Sequence, residues 1–328
     1  MIAILGSGSC ATALVKTLLE TPQRHINWWV RRDDLARAIQ QQQRNPDHLP
    51  QASLDVSRLH ISSSLNQVLE LSDLLIIAHP TAYCDTMLRS VSPNDWQHHT
   101  IASATKGFLP SSGETLTDTL RCQYGVPLNQ LAFIGGPAHA EEIVLRNHTF
   151  LTIASPYRPL AVHVAQLLQS PVLHTIVTTD MPALELAASL KNIYALAAGI
   201  CHGLGFGDNL LAVLVTHSLR EMTDYISYRH PGSVWAQYAD ATLGDLLATC
   251  YSDHSRNRML GYKVGSGLSV SQALSSMTMQ AEGYHALNAL QRQLWGCPIQ
   301  LPIANAVYRI FYQDASPAQE MQRLISNL

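Results

Sequence analysis

Met1-Ile2-Ala3-Ile4-Leu5-Gly6-Ser7-Gly8-Ser9-Cys10-Ala11 opens the chain, and its reading decides the fold. Met1–Leu5 is a short apolar run of the kind a buried parallel strand needs. Gly6–Ala11 then fits the spacing G-x-G-x-x-G/A, and 12–19 reads as a helix. Gly6 permits a tight turn, Gly8 lets backbone approach a pyrophosphate, and the small Ala11 lets helix pack on strand. The helix amino terminus offers N–H groups and the positive end of its dipole to phosphates. A glycine-rich turn by itself is weak evidence. Here a strand precedes it, a helix follows it, and 25–30 reads as a second strand, which is the context the motif requires.

That second strand ends in Arg31-Arg32 rather than in an acid. An acid would bind the adenosine ribose 2′-hydroxyl, whereas arginine suits a 2′-phosphate. The expectation is therefore NADP(H) in preference, with NAD(H) usable. The polar stretch 40–57, with Pro46 and Pro50, reads as an irregular insertion. Further strands are expected at 73–78, 100–105, 132–134, 150–154 and 172–178. Strands alternating with helical stretches imply a doubly wound α/β sheet. Lys106 and Gly136 follow strand ends, where such sheets bind ligands.

After about Thr179 the strand pattern stops. Met181–Asn209 reads as a helix from Pro182 to the glycines from Gly199 onward, apolar nearly all round and hence buried. Lys191 sits near its middle. A buried ammonium needs an acid partner or a lowered pKa, and an easily deprotonated lysine suits proton transfer at a carbonyl. Asp245, in apolar Leu243–Cys250, is an isolated carboxylate that needs a partner, for which a lysine is an obvious choice; the alternative is a helix N-cap after Gly244. Ser255-Arg256-Asn257-Arg258 groups donors fit for a phosphate monoester. Helices are also expected at 210–228, 277–295 and 303–312. The domains are thus read as 1–180, a dinucleotide-binding Rossmann-like unit, and 181–328, an all-α substrate domain.

Composition narrows the function. Only 14% of residues are charged, the net charge is −3, and no basic run occurs, so neither nucleic acid nor a membrane is an expected partner. The six cysteines form no C-x-x-C pair and read as reduced thiols in a cytoplasmic protein. The amino terminus lacks the cationic region of a signal peptide. The fifteen histidines show no metal-ligand spacing, so no metal is expected.

Taken together, these segments resemble the bacterial-type NAD(P)-dependent glycerol-3-phosphate dehydrogenases over nearly the whole chain. The resemblance is carried by Gly6–Ser9, Ala104–Gly107, Gly136-Pro137 with Ala140 and Glu142, Leu190–Asn192, Gly203–Asn209, Leu243–Leu246, Ser255–Arg258 and Glu282–Tyr284. It implies a Rossmann domain, a helical substrate domain and an active site in the cleft between them. It implies reduction of dihydroxyacetone phosphate to sn-glycerol 3-phosphate, feeding glycerophospholipid synthesis. Lys191 falls at the general acid/base. Lys106, Gly136, Ala138, Asp245, Ser255, Arg256 and Asn257 fall at substrate contacts, although Ala138 replaces a hydroxyl residue. Ser9, Cys10, Arg31, Lys106, Ala140, Arg256, Gln280 and Glu282 fall at cofactor contacts, beside Gly6, Gly8 and Arg32 as read above from the glycine turn and the end of the second strand. The rival readings are a two-domain dehydrogenase of β-hydroxyacids or sugar acids and a catalytically inactive NAD(P)-binding sensor. A homodimer is left open.

Overall fold

The computed structural model describes residues 1–327 except 235–238 and 278. The chain divides into two compact units: Met1–Thr105 with Leu116–Met181, and Lys106–Thr115 with Pro182–Leu328.

The first unit carries eight strands: β1 (Ile2–Leu5), β2 (Ile26–Trp29), β3 (Leu59–Ser62), β4 (Leu74–Ile77), β5 (Thr100–Ser103), β6 (Leu131–Gly135), β7 (Thr149–Ala154) and β8 (Leu173–Thr178). They form one sheet in the order β3-β2-β1-β4-β5-β6-β7-β8. Every neighbouring pair is parallel except β6 with β7. This is the expected Rossmann-like arrangement, with one pair reversed. The helices of this unit are α1 (Ser9–Leu19), α2 (Asp33–Gln42), α3 (Leu65–Glu70), α4 (Thr81–Arg89), α5 (Pro93–Gln97), α6 (Leu116–Tyr124), α7 (Ala140–Val144) and α8 (Arg158–Leu168). Central strands such as Leu74–Ile77 are buried along their whole length, as strands covered on both faces are.

Two sequence expectations change here. Gln40–Gln42 is not irregular; it completes α2, whose buried residues Leu35, Ala36 and Ile39 recur at helical spacing. β3 had no expected counterpart. It is a four-residue edge strand with one buried side chain, too little pattern to read.

The second unit is helical: α9 (Met181–Gly203), α10 (Asp208–Arg229), α11 (Asp245–Tyr251), α12 (Arg256–Gly265), α13 (Val270–Ser275), α14 (Glu282–Gln293), α15 (Pro302–Tyr312) and α16 (Pro317–Ile325). The helix expected at 277–295 is shorter: 277 and 279–281 precede α14, and Thr278 lies outside the described residues. α9 is long and apolar enough to cross a membrane, but its apolar window is wholly buried. Gly199 does not end this helix. Its Cβ would lie 2.0 Å from the Arg258 carbonyl oxygen, and that of Gly203 2.3 Å from the Tyr262 oxygen. Reciprocally, Cβ atoms on Gly261 and Gly265 would lie 2.1 and 2.4 Å from the Leu196 and Ile200 oxygens. Two glycines four residues apart on each helix therefore bring the backbones of α9 and α12 into direct contact.

α15 begins without a side-chain cap of its own. The Glu221 carboxylate on α10 accepts hydrogen bonds from the Ile303 N–H at 2.5 Å and the Ala304 N–H at 3.2 Å. It does from another helix what a cap residue does locally. Burial pushes the Glu221 carboxyl up to about 7, against the pull of these two donors. Glu221→Ala strands both donors in the interior, at about 1–3 kcal/mol for each. Glu221→Gln keeps an acceptor and should lose markedly less. Urea denaturation of both variants checks this, and equal losses would refute the capping role.

Candidate active site

In the first unit the turn after β1 is held from below. Gly6 has φ +128°, and a Cβ there would lie 2.3 Å from the Ala78 oxygen, so only glycine fits. The buried Trp28 indole donates to the Gly6 carbonyl at 2.6 Å. The buried Asn45 amide donates to the Ser7 carbonyl and to Thr12 Oγ1, both at 2.8 Å. Thr12 Oγ1 in turn donates to the Gly8 carbonyl at 3.0 Å. Gly8 differs from Gly6: a Cβ there would meet nothing within 4 Å. The protein itself has no packing need for glycine at this position, which leaves room for a phosphate to approach. Among the described residues no side chain of the N-cap position caps α1, whose first residues are Ser9, half-buried, and Cys10, exposed. This cradle fits a dinucleotide pyrophosphate. Ala140 opens α7, which packs on α1.

The two arginines after β2 have different surroundings. Arg32 is bound to Asp34 and, at 2.8 Å, to Asp47. Arg31 makes no ion pair among the described residues. Its guanidinium stands 4.9 Å from the centre of the Tyr83 ring and lines a cavity of about 350 Å³ with Trp29, Ser63 and His79. Gly136 has φ +109°, and a Cβ there would lie 2.6 Å from the Phe150 oxygen; Ala138 is half-buried three residues past β6.

The second unit gathers Lys191, Asp245 and Lys106. Lys191 is 6% exposed and donates to Asp245 Oδ1. Lys106 Nζ donates to the other oxygen, Oδ2, at 3.2 Å. Burial strips water from the Lys191 ammonium and lowers its pKa to about 8, although Asp245 opposes the shift. Burial by itself would raise the Asp245 carboxyl; the two lysines outweigh it and hold it low. The result is one carboxylate shared by two cations, only one of which is fully buried.

Asn192, the neighbour of Lys191, extends the group. Its amide nitrogen donates to the Lys106 carbonyl at 3.2 Å, and its oxygen accepts from Asn257 Nδ2 at 2.9 Å. Asn257 Oδ1 accepts from the Gly283 N–H at 2.9 Å, beside Glu282. Asn257 therefore keeps one amide hydrogen for a ligand. Ser255 Oγ caps α12, accepting from the Arg258 N–H at 3.2 Å, and retains its O–H as a donor. The two arginines of this motif diverge. Arg258 is engaged by Asp253 at 2.6 Å and by His202 at 2.8 Å. Arg256 is exposed, makes no ion pair among the described residues, and lines a cavity of about 260 Å³ with Ser255, His254 and Lys263. Gln280 lies in the segment leading to α14.

Thus Lys106, Lys191, Asp245 and, through Asn192, Asn257 form one hydrogen-bonded group. In the sequence Asn192 carries no distinguishing role, and Trp28 and Asn45 give no sign of supporting the turn. An Asn-Pro pair in a polar stretch signals a turn, but nothing local marks its amide as buried.

The chain is 32% identical over 327 residues to glycerol-3-phosphate dehydrogenase (NAD(P)+) 2 of Salinibacter ruber, covering 99% of this chain and 94% of that protein. Models of the NAD-dependent glycerol-3-phosphate dehydrogenase amino and carboxyl termini match residues 1–161 and 180–322. The chain belongs to the NAD-dependent glycerol-3-phosphate dehydrogenase family. Glycerol-3-phosphate dehydrogenase (NAD(P)+) of Chlorobium chlorochromatii is 30% identical, with 99% and 97% of the two chains covered. The crystal structure of glycerol-3-phosphate dehydrogenase from Coxiella burnetii superposes with a TM-score of 0.92 at 29% identity, covering 99% of this chain and 98% of that one. The family's amino-terminal match contains the glycine turn, Arg31 and Lys106; its carboxyl-terminal match contains Lys191, Asp245 and Ser255–Asn257.

Proposed function

We propose that this chain catalyses the reversible, NAD(P)H-dependent reduction of dihydroxyacetone phosphate to sn-glycerol 3-phosphate, with Lys191 as the general acid/base. The observation that carries this reading is the Lys191–Asp245–Lys106 group, a buried ammonium with a lowered pKa. Bound NAD(P)H supplies the hydride. As the C2 oxygen becomes an alkoxide, Lys191 gives it a proton, and Lys106 adds positive charge. In the reverse direction the neutral Lys191 amine takes the hydroxyl proton. Asp245 fixes both amines. Arg256, Ser255 and Asn257 bind the phosphate, and that binding energy orients the carbonyl. Gly136 and Ala138 are proposed as further substrate contacts, and Ser9, Cys10, Ala140, Gln280 and Glu282 as cofactor contacts. A sensor would need no such ion group, and a sugar-acid enzyme would need no phosphate donors.

NADP(H) is the preferred cofactor in this proposal, in a cytoplasmic enzyme whose product enters glycerophospholipid synthesis. Arg31 faces a cavity and makes no ion pair among the described residues, whereas Arg32 is held by Asp34 and Asp47. Assays with both reductants test function and preference together. The parent should oxidise NADPH and NADH only when dihydroxyacetone phosphate is added, with the larger kcat/KM for NADPH. Arg31→Ala should lower kcat/KM for NADPH about 10- to 100-fold, the worth of a charge-assisted hydrogen bond, and leave NADH nearly unchanged. Equal losses would overturn the role of Arg31. No ketone-dependent oxidation by the parent would overturn the reaction itself.

A further inference from the structure

His79 follows β4, on the sheet edge where the glycine turn leaves β1. It is 8% exposed, and its buried Nδ1 has no hydrogen-bond partner among the described residues. Its backbone is fixed: Thr105 Oγ1 donates to its carbonyl at 3.0 Å, and Cys84 Sγ approaches at 3.7 Å. The ring sits between two others, 5.4 Å from Trp29 and 5.8 Å from Tyr83, centre to centre. All three line the cavity of about 350 Å³ that Arg31 borders, at the carboxyl ends of β2, β3 and β4. Among the described residues lining it, Arg31 is the one that carries a charge. Burial first, and the Arg31 charge second, pull the imidazole down to about 4, so the ring is neutral at pH 7 and carries one donor and one acceptor nitrogen.

A slot with aromatic walls, a neutral imidazole and a single cation at its rim suits a flat heterocycle with both donors and acceptors, joined to an anion. We propose that His79 recognises the adenine ring of the dinucleotide by a hydrogen bond in the cavity it lines with Trp29 and Tyr83, while Arg31 takes the ribose phosphate. This rests on the cofactor reading above and adds to it the residue that reads the base. A buried nitrogen without a partner among the described residues is unfavourable until a donor or acceptor meets it, and Ser63, Ser64, Asn66, Thr86 and Ser90 give the same cavity further polar groups for a heterocycle.

The test separates the two halves of the cofactor. The probes are 2′,5′-ADP, which carries the adenosine half, and reduced nicotinamide mononucleotide, which lacks it. Binding to the parent, His79→Val and His79→Gln is measured by calorimetry and NMR titration. His79→Val should bind 2′,5′-ADP about tenfold more weakly, the worth of one neutral hydrogen bond, with the mononucleotide unchanged. His79→Gln, which keeps a donor and an acceptor, should recover most of that loss. In the parent, the ¹⁵N resonances of the His79 ring should move when 2′,5′-ADP is added, a readout that needs no variant to fold. Unchanged resonances, equal weakening of both probes, or full affinity in His79→Val would each overturn the role of His79 and leave the cofactor reading intact. A parent that binds neither probe nor NADPH would overturn both.

Discussion

Lys191→Ala should lower kcat for dihydroxyacetone phosphate reduction by about 10⁴-fold, because proton donation and part of the positive charge on the alkoxide are lost together. NADPH affinity should stay within about twofold, since the glycine turn and Arg31 are untouched. Removing one member of a buried ion pair usually costs about 3–5 kcal/mol, because the other is left uncompensated. Here Asp245 keeps Lys106 at 3.2 Å, so the loss should be smaller and the variant should fold. Lys191→Arg separates charge from proton transfer. It restores a cation, but a guanidinium does not give up its proton in a protein. It should therefore remain defective in both directions.

The pH profiles of the parent follow from the same group. Lys191 is lowered to about 8. Reduction needs its proton, so kcat/KM for dihydroxyacetone phosphate should fall as pH rises through that region. Oxidation of sn-glycerol 3-phosphate needs the free amine and should rise across it. A Lys191→Ala enzyme within tenfold of the parent, or parallel profiles in the two directions, would remove Lys191 from the mechanism.

Gly261→Ala carries the second large effect. The new methyl would lie 2.1 Å from the Leu196 oxygen and 3.0 Å from the Ile200 nitrogen, both backbone atoms. Neither can turn aside as a side chain could, so α12 must move away from α9 by more than an ångström. Overpacking of this kind costs about 3 kcal/mol or more where the neighbours are rigid. That loss corresponds to about 6–12 °C in Tm. The movement also stretches the 2.9 Å bond between Asn257 on α12 and Asn192 on α9, so activity should fall with stability. Gly207→Ala is the matched control. Its Cβ would meet no described atom within 4 Å and its φ is −83°, so it should lose only the difference between glycine and alanine at the helix N-cap it occupies, about 0.5–1 kcal/mol. If Gly261→Ala melts within 2 °C of the parent, the backbone contact does not hold these helices together.

What could be read in advance depended on how local its cause was. β1 and the glycine turn are legible because an apolar run and a fixed glycine spacing state their own geometry. α9 is legible because a helix with apolar residues on every side has only the interior to go to, and Lys191 stands out there as a charge needing an acid. Asn45 is buried because of the Ser7 carbonyl it serves, and that carbonyl lies 38 positions earlier. Gly199 reads as a helix end because helices do end at glycine; only the position of α12 reveals that it is a contact. The arginines of each pair look equivalent in sequence. Asp34, Asp47, Asp253 and His202 separate them, and these become neighbours only in the folded chain.

Lys106–Thr115 belongs to the helical unit although the chain on both sides of it belongs to the sheet unit. It brings Phe108 into the helical core, pairs Glu114 with Arg229 at 2.8 Å, and presents its Lys106 carbonyl to Asn192. A ribosome therefore delivers one piece of the helical half early and must finish residues 116–181 before the rest arrives. The carboxyl-terminal half is not a cassette that recombination could move by cutting at Pro182. Such a cut would leave behind an aromatic plug and one of the two amines that share Asp245.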